Sequence, residues 1–156
     1  MAITKITLQA FSQPAFHAIL GSNQTISNET TTVLAYGTEI FDTDGCYDTS
    51  TYKFTPTVAG TYLFGAASHV QNADAKTGHT MITKNGLTVS DHKFGGVQTW
   101  GNANDYSGQC VSGIIEMNGS SDWVQAVCRH NYGSDRTYIA STQHLYQFFW
   151  GFRLSP

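Results

Sequence analysis

Charge is what this chain has least of. Lys, Arg, Asp and Glu make up 12% of its 156 residues, about half the usual share of roughly a quarter. The formal net charge is only −3. No run of Lys or Arg occurs, and the longest basic feature is the spaced pair Arg129 and Arg136. Phosphate binding needs clustered cations, so nucleic acid is not an expected partner. No stretch approaches the roughly 20 apolar residues that span a bilayer, so no membrane insertion is expected. Sustained helical periodicity, internal repeats and linkers are missing too. Cysteine is scarce and odd in number, three in all, so at least one is outside any intrachain bridge.

Thr, Ser, Asn, Gln and Gly take the place of charge, and these suit strands and turns. Short alternating apolar runs recur with turn signals between them. They fall at 3–8, 15–20, 31–35, 39–41, 52–54, 61–70, 80–84, 89–92, 109–117, 123–129, 137–141 and 145–154. The 61–70 run alternates Tyr62, Phe64, Ala66, Ser68 and Val70, the period of a half-buried strand. Asn85-Gly86 is the strongest hairpin signal, and Asn118-Gly119 predicts a turn joining two neighbouring strands that carry Cys110 and Cys128. A turn symmetric about Gly119 makes these cysteines face each other, and a shift of half a residue sends them to opposite faces. Reduced cysteines are expected, with Cys46 unpaired in a turn. About ten short strands at this spacing predict a single all-β sandwich or barrel. The polar stretches 72–78 and 95–108 read as long loops.

Several motifs then fall in a familiar order. They are Pro14-Ala15-Phe16-His17-Ala18, Phe41-Asp42, Tyr47-Asp48, Lys53-Phe54, Pro56 through Phe64, Lys84-Asn85-Gly86, Asp122-Trp123-Val124, and Phe149-Trp150-Gly151-Phe152-Arg153-Leu154. In these the chain resembles the globular head domain of complement C1q, within the C1q and tumour necrosis factor superfamily, from Pro14 to Leu154. The resemblance implies a ten-stranded antiparallel jelly roll that assembles as a homotrimer. It divides the chain into an amino-terminal arm, 1–12, and a jelly-roll domain, 13–156. Phe16, Phe41, Tyr47, Phe54, Tyr62, Leu63, Phe64, Phe149, Trp150 and Phe152 are the expected core or trimer contacts. Leu63 and Ala67 stand opposite Tyr62 and Phe64, and Phe148 through Phe152 is nearly all apolar. A strand apolar on both faces is buried on both, so one face should pack in the sandwich and the other against a neighbouring subunit. Sequence does not say which residue takes which face.

The chain departs from many family members in carrying no collagen repeat. Its first residues lack an apolar signal core and alternate like a strand. A short arm on a low-charge β-protein made in a cytosol suits a virion surface component, such as a phage head decoration or tail-fibre tip, whose arm would contact other virion proteins. A secreted C1q-domain lectin stripped of its signal is the alternative.

Catalytic motifs are missing as well: no Gly-x-Ser-x-Gly, His-Glu-x-x-His, phosphate loop or Cys-x-x-Cys occurs. The six histidines, His17, His69, His79, His92, His130 and His144, show no ligand spacing. The expectation is a non-enzyme without a cofactor. Asp42, Asp44 and Asp48 around Gly45 fail the order of a calcium loop and read as turn residues. The resemblance alone leaves room for calcium, which some relatives hold near the trimer apex. The sequons at Asn23, Asn28 and Asn118 are about as many as chance supplies. Two loops are the ligand candidates. Trp100 and Tyr106 stand with Asn102, Asn104 and Asp105, the aromatic and amide set that holds sugars. Arg129, His130, Asn131, Tyr132, Asp135 and Arg136 form a charged second set. A glycan or a protein receptor would suit either.

Overall fold

The computed structural model describes residues 13–71, 77–88, 91–99, 106–140 and 146–155. The arm, 1–12, and its expected strand at 3–8 lie outside the described residues. No α-helix occurs among those described. The strands are β1 (Ala15–Ile19), β2 (Gln24–Ile26), β3 (Thr32–Val33), β4 (Thr38–Asp42), β5 (Tyr47–Asp48), β6 (Lys53–Phe54), β7 (Gly60–Gln71), β8 (Thr77–Lys84), β9 (His92–Thr99), β10 (Tyr106–Met117), β11 (Val124–Asn131), β12 (Arg136–Tyr138) and β13 (Phe148–Ser155).

All described pairings are antiparallel, in two sheets. The first runs β2-β12-β7-β13-β1-β4, with β10 on the other edge of β7; the second runs β5-β6-β11-β8-β9, with β3 beside β11. The two antiparallel sheets are those of the expected jelly-roll sandwich, built among the described residues from thirteen strands, five of them only two or three residues long.

Alternation sends one side of every strand inward. Phe16 is the centre of the core: its ring stacks on Tyr47 at 4.7 Å and Phe54 at 4.6 Å, and meets Phe149 edge-on at 4.9 Å. Buried phenols find carbonyls, as such groups must. Tyr36 Oη donates to Ala67 O at 2.7 Å, and Tyr47 Oη donates to Tyr36 O at 2.9 Å. A hydroxyl and amide chain crosses between the sheets, with Ser68 Oγ 2.6 Å from Thr80 Oγ1, which donates to Gln109 Oε1 at 2.9 Å.

Three local expectations are corrected. First, β10 and β11 are not a paired hairpin. β10 pairs with β7 and β11 with β8, so the chain changes sheet at the Asn118 turn. Asn118 Oδ1 accepts the amides of Ser120, Ser121 and Asp122, and Gly119 takes a left-handed φ of +69°. Cys110 is therefore exposed on one sheet and Cys128 buried in the other, and all three cysteines are free. Second, 95–99 belongs to β9, not to a loop. Gly96 lies so close to β10 that a Cβ there would be 2.8 Å from Cys110 O; the glycines let two strand backbones meet at a corner. Third, the connection from β8 to β9 is longer than a two-residue hairpin, because Thr83 pairs with His92. Asn85 nonetheless takes a left-handed φ of 62°.

Candidate functional site

The outward side of the first sheet is the candidate site. Register places its residues in three rows across β10, β7, β13, β1 and β4. One row is Ile114, Leu63, Phe152 and Ala15; the next is Ser112, Gly65, Trp150, His17 and Phe41; the third is Cys110, Ala67, Phe148, Ile19 and Thr38. Their chain neighbours Phe16, Ala18, Tyr62, Phe64, Ala66, Ile115 and Phe149 fill the core, so the rows face away from it. These rows contain no Lys, Arg, Asp or Glu. Glu116 and Thr61 lie beyond one end, and Gly108 and His69 beyond the other.

Large side chains stand open here: Ile114 is 55% exposed, Phe41 46% and Phe152 39%. Trp150 stacks on Phe152 at 5.9 Å. Its indole also lies over Gly65, where a Cβ would come within 2.3 Å of Cζ2. The small residues of β7 leave a cleft of about 240 Å³ lined by Gly65, Ala66, Cys110, Val111, Ser112, Phe148 and Trp150. Knobs and a groove thus share one apolar surface. His17 is half-buried, edge-on to Phe41 at 6.1 Å and to Phe148 at 6.2 Å. Burial lowers its pKa from the ordinary 6.5.

The ten expected core or trimer contacts now divide. Phe16, Tyr47, Phe54, Tyr62, Phe64 and Phe149 are core. Phe41, Leu63, Trp150 and Phe152 lie on the outward rows.

The loop candidates divide as well. Trp100, Asn102, Asn104 and Asp105 lie outside the described residues. Tyr106 opens β10 and pairs with Gln71. Thr77 pairs with both Thr99 and Asn131, and Val70 with Tyr138, so the strand ends flanking both candidate loops gather at one end of the sandwich. His130 and Tyr132 are not surface groups: His130, near the end of β11, and Tyr132, just past it, are buried, their rings stack at 4.7 Å and His130 Nε2 lies 3.0 Å from Ile26 O. Arg129 Nε donates to Glu29 O at 3.1 Å. Asp135 accepts from Ser27 Oγ and Asn28 N, and Arg136 donates to Ser134 Oγ and to the carbonyls of Asp135 and Tyr132. These contacts tie the β11–β12 connection to the 27–28 turn. Asn131 is exposed beside them.

The acidic turn around Gly45 behaves as turn chemistry requires. Asp42 accepts the amides of Asp44 and Tyr47. Asp48 accepts from the hydroxyl and amide of Ser50, then from Thr51, and these bonds draw its pKa down to about 2. Among the described residues no three His, Cys, Asp or Glu side chains gather into a metal-holding set.

Solved structures carry the same fold. Murine APRIL at pH 5.0 superposes with a TM-score of 0.68 at 12% identity, covering 92% of this chain and 100% of that one. The globular domain of zebrafish complement 1qA gives 0.64 at 15% identity over 90% and 97%. The Eiger TNF of S. frugiperda gives 0.60 at 9% over 92% of each. No protein-family model and no curated protein matches the sequence. The fold is that of the C1q and tumour necrosis factor jelly rolls.

Proposed function

We propose that the protein is a non-enzymatic homotrimeric module whose subunits meet through the outward side of the first sheet. The observation that carries this is the composition of the three rows: Trp, Phe, Ile, Leu, Gly and Ala beside Ser112, His17, Cys110 and Thr38, with no Lys, Arg, Asp or Glu among them. An exposed apolar surface of this extent normally marks an interaction site. A second copy is the fitting occupant, because the same surface offers protruding Ile114 and Phe41 and the receiving cleft lined by Cys110, Ser112, Phe148 and Trp150. The structural likeness and the motif resemblance point to three copies around an axis. Native mass spectrometry tests this directly: a three-chain ion is expected, and a spectrum of single chains contradicts it.

In this reading the trimer presents three copies of one loop-bearing end. The connections carrying Trp100, Asn102, Asn104, Asp105, Arg129, Asn131, Asp135 and Arg136 are the proposed contacts for a glycan or protein receptor, their weak single affinities adding through multivalency. A virion surface is the proposed setting. Three free thiols, one of them exposed, suit a protein assembled in a reducing host cytoplasm better than a secreted one. A glycan array with wild type and Asn131→Ala tests the loop assignment; equal binding by both contradicts it.

A further inference from the structure

The assembly surface contains one group that can change its charge near neutral pH, and it sits at the least favourable place for a charge. We propose that His17 is a proton switch on assembly, holding subunits together when neutral and separating them when protonated; this rests on the reading that the outward rows are the subunit interface.

The geometry is specific. His17 is in the middle row, between Trp150 of β13 and Phe41 of β4. Phe41 and Phe148 present their rings to its sides. Its ring nitrogens meet no hydrogen-bond partner among the described residues, and burial alone lowers its pKa. Among the described residues no element packed around it supplies a compensating anion. From β13 it faces Trp150 and Phe148. From β7 the row offers Gly65, and from β10 Ser112, with the Cys110 thiol one row away. On β4, Glu39 pairs with Ala18 and Asp42 with Phe16, on either side of a bulge beside His17, and Glu39 is exposed to solvent. Both Asp42 oxygens already accept backbone amides. Arg153 turns inward, donating to Ala59 O. Glu116 and His69 lie beyond opposite ends of the rows.

Covering this face with another subunit removes the water that solvates an imidazolium. The assembled state therefore holds His17 neutral to lower pH than the free subunit does. The sign follows: His17 of the separated subunit, itself held below the ordinary 6.5 by burial, takes up its proton before that of the assembled one, so assembly is complete at neutral pH and weakens once pH falls through the separated subunit's lowered value. Three copies act together. The association constant should fall by up to about a thousandfold per pH unit between the assembled and free pKa values, since three protons accompany each dissociation.

The test is light scattering on the full chain from neutral pH down to about pH 5, where a free imidazole is mostly charged. Wild type should pass from three copies to one, while His17→Phe, which keeps a ring and removes the proton site, should remain at three. His69→Gln should follow wild type. A wild-type trimer that persists at the acid end overturns the switch and leaves the assembly reading intact; a single-copy mass at neutral pH overturns both. Proton NMR of the His17 ring in the assembled wild type gives an answer that does not depend on the variants. A titration midpoint clearly below the ordinary value is expected, and an ordinary midpoint overturns the switch.

Discussion

The two sheets treat their outward sides in opposite ways. On the second sheet, Thr83, Gln125 and Val127 point away from the core residues Ile82, Val124, Ala126 and Cys128, yet all three are buried, Thr83 and Val127 completely. The chain's own segments cover them. Gln125 Nε2 donates to Thr51 O at 2.5 Å, and β3 lies beside β11. On the first sheet the outward rows hold larger apolar groups, and among the described residues nothing covers Ile114, Phe41 or Phe152. One sheet is finished by its own loops; the other is left for a partner. A sandwich therefore need not be symmetric in how it meets water, and the asymmetry marks the surface that assembles.

The strongest way to sharpen this contrast is to compare the core with the open face. Phe16→Ala removes a ring stacked on Tyr47 and Phe54 and should cost about 3–5 kcal/mol of subunit stability, read as a large fall in the thermal midpoint. Trp150→Asp should leave circular dichroism nearly unchanged and abolish assembly, because an unpaired charge buried in an apolar interface costs on the order of 3–5 kcal/mol. If Trp150→Asp instead unfolds the subunit, the face belongs to the core and the contrast fails.

A smaller effect tests the covered side. Thr83 Oγ1 is buried without a hydrogen-bond partner among the described residues. Thr83→Val removes that unsatisfied oxygen and should stabilise the protein by about 1 kcal/mol, raising the melting midpoint with the oligomer mass unchanged. The smallest effect concerns the acidic turn. Asp48 has its pKa lowered to about 2 from 3.8 by Ser50 and Thr51. Its stabilising share is complete above the unfolded value and is lost as pH falls from 3.8 towards 2. Asp48→Asn should flatten acid unfolding in that window and change little at neutral pH.

Much of this fold is legible in the sequence because alternation, Pro56, Gly60 and the aromatic motifs act locally. Thr61–Val70 reads as a strand and is one. What is not legible depends on partners distant in the chain. Tyr62 and Leu63 are both apolar neighbours, and only the register with Arg153 and Phe152 shows which faces inward. β10 and β11 look like one hairpin because the turn signal at Asn118-Gly119 does not reveal that the next strand joins the other sheet. Gly95-Gly96 reads as the start of a loop, because glycine marks a close backbone approach and a bend with the same letter. His130 and Tyr132 read as loop ligands because polar and aromatic residues suit both a binding loop and a buried stack. The three sequon asparagines illustrate the same limit. Asn23 accepts from Ala140 N, Asn28 from Gly133 N, and Asn118 from its own turn; all hold backbone in place.

Sedimentation equilibrium at neutral pH and micromolar concentration tests the asymmetry between the two faces most directly. Three subunits of 17.0 kDa should sediment together for wild type, with Trp150→Asp at the mass of one. A wild-type chain that sediments as 17.0 kDa would mean that the bare aromatic rows face only water.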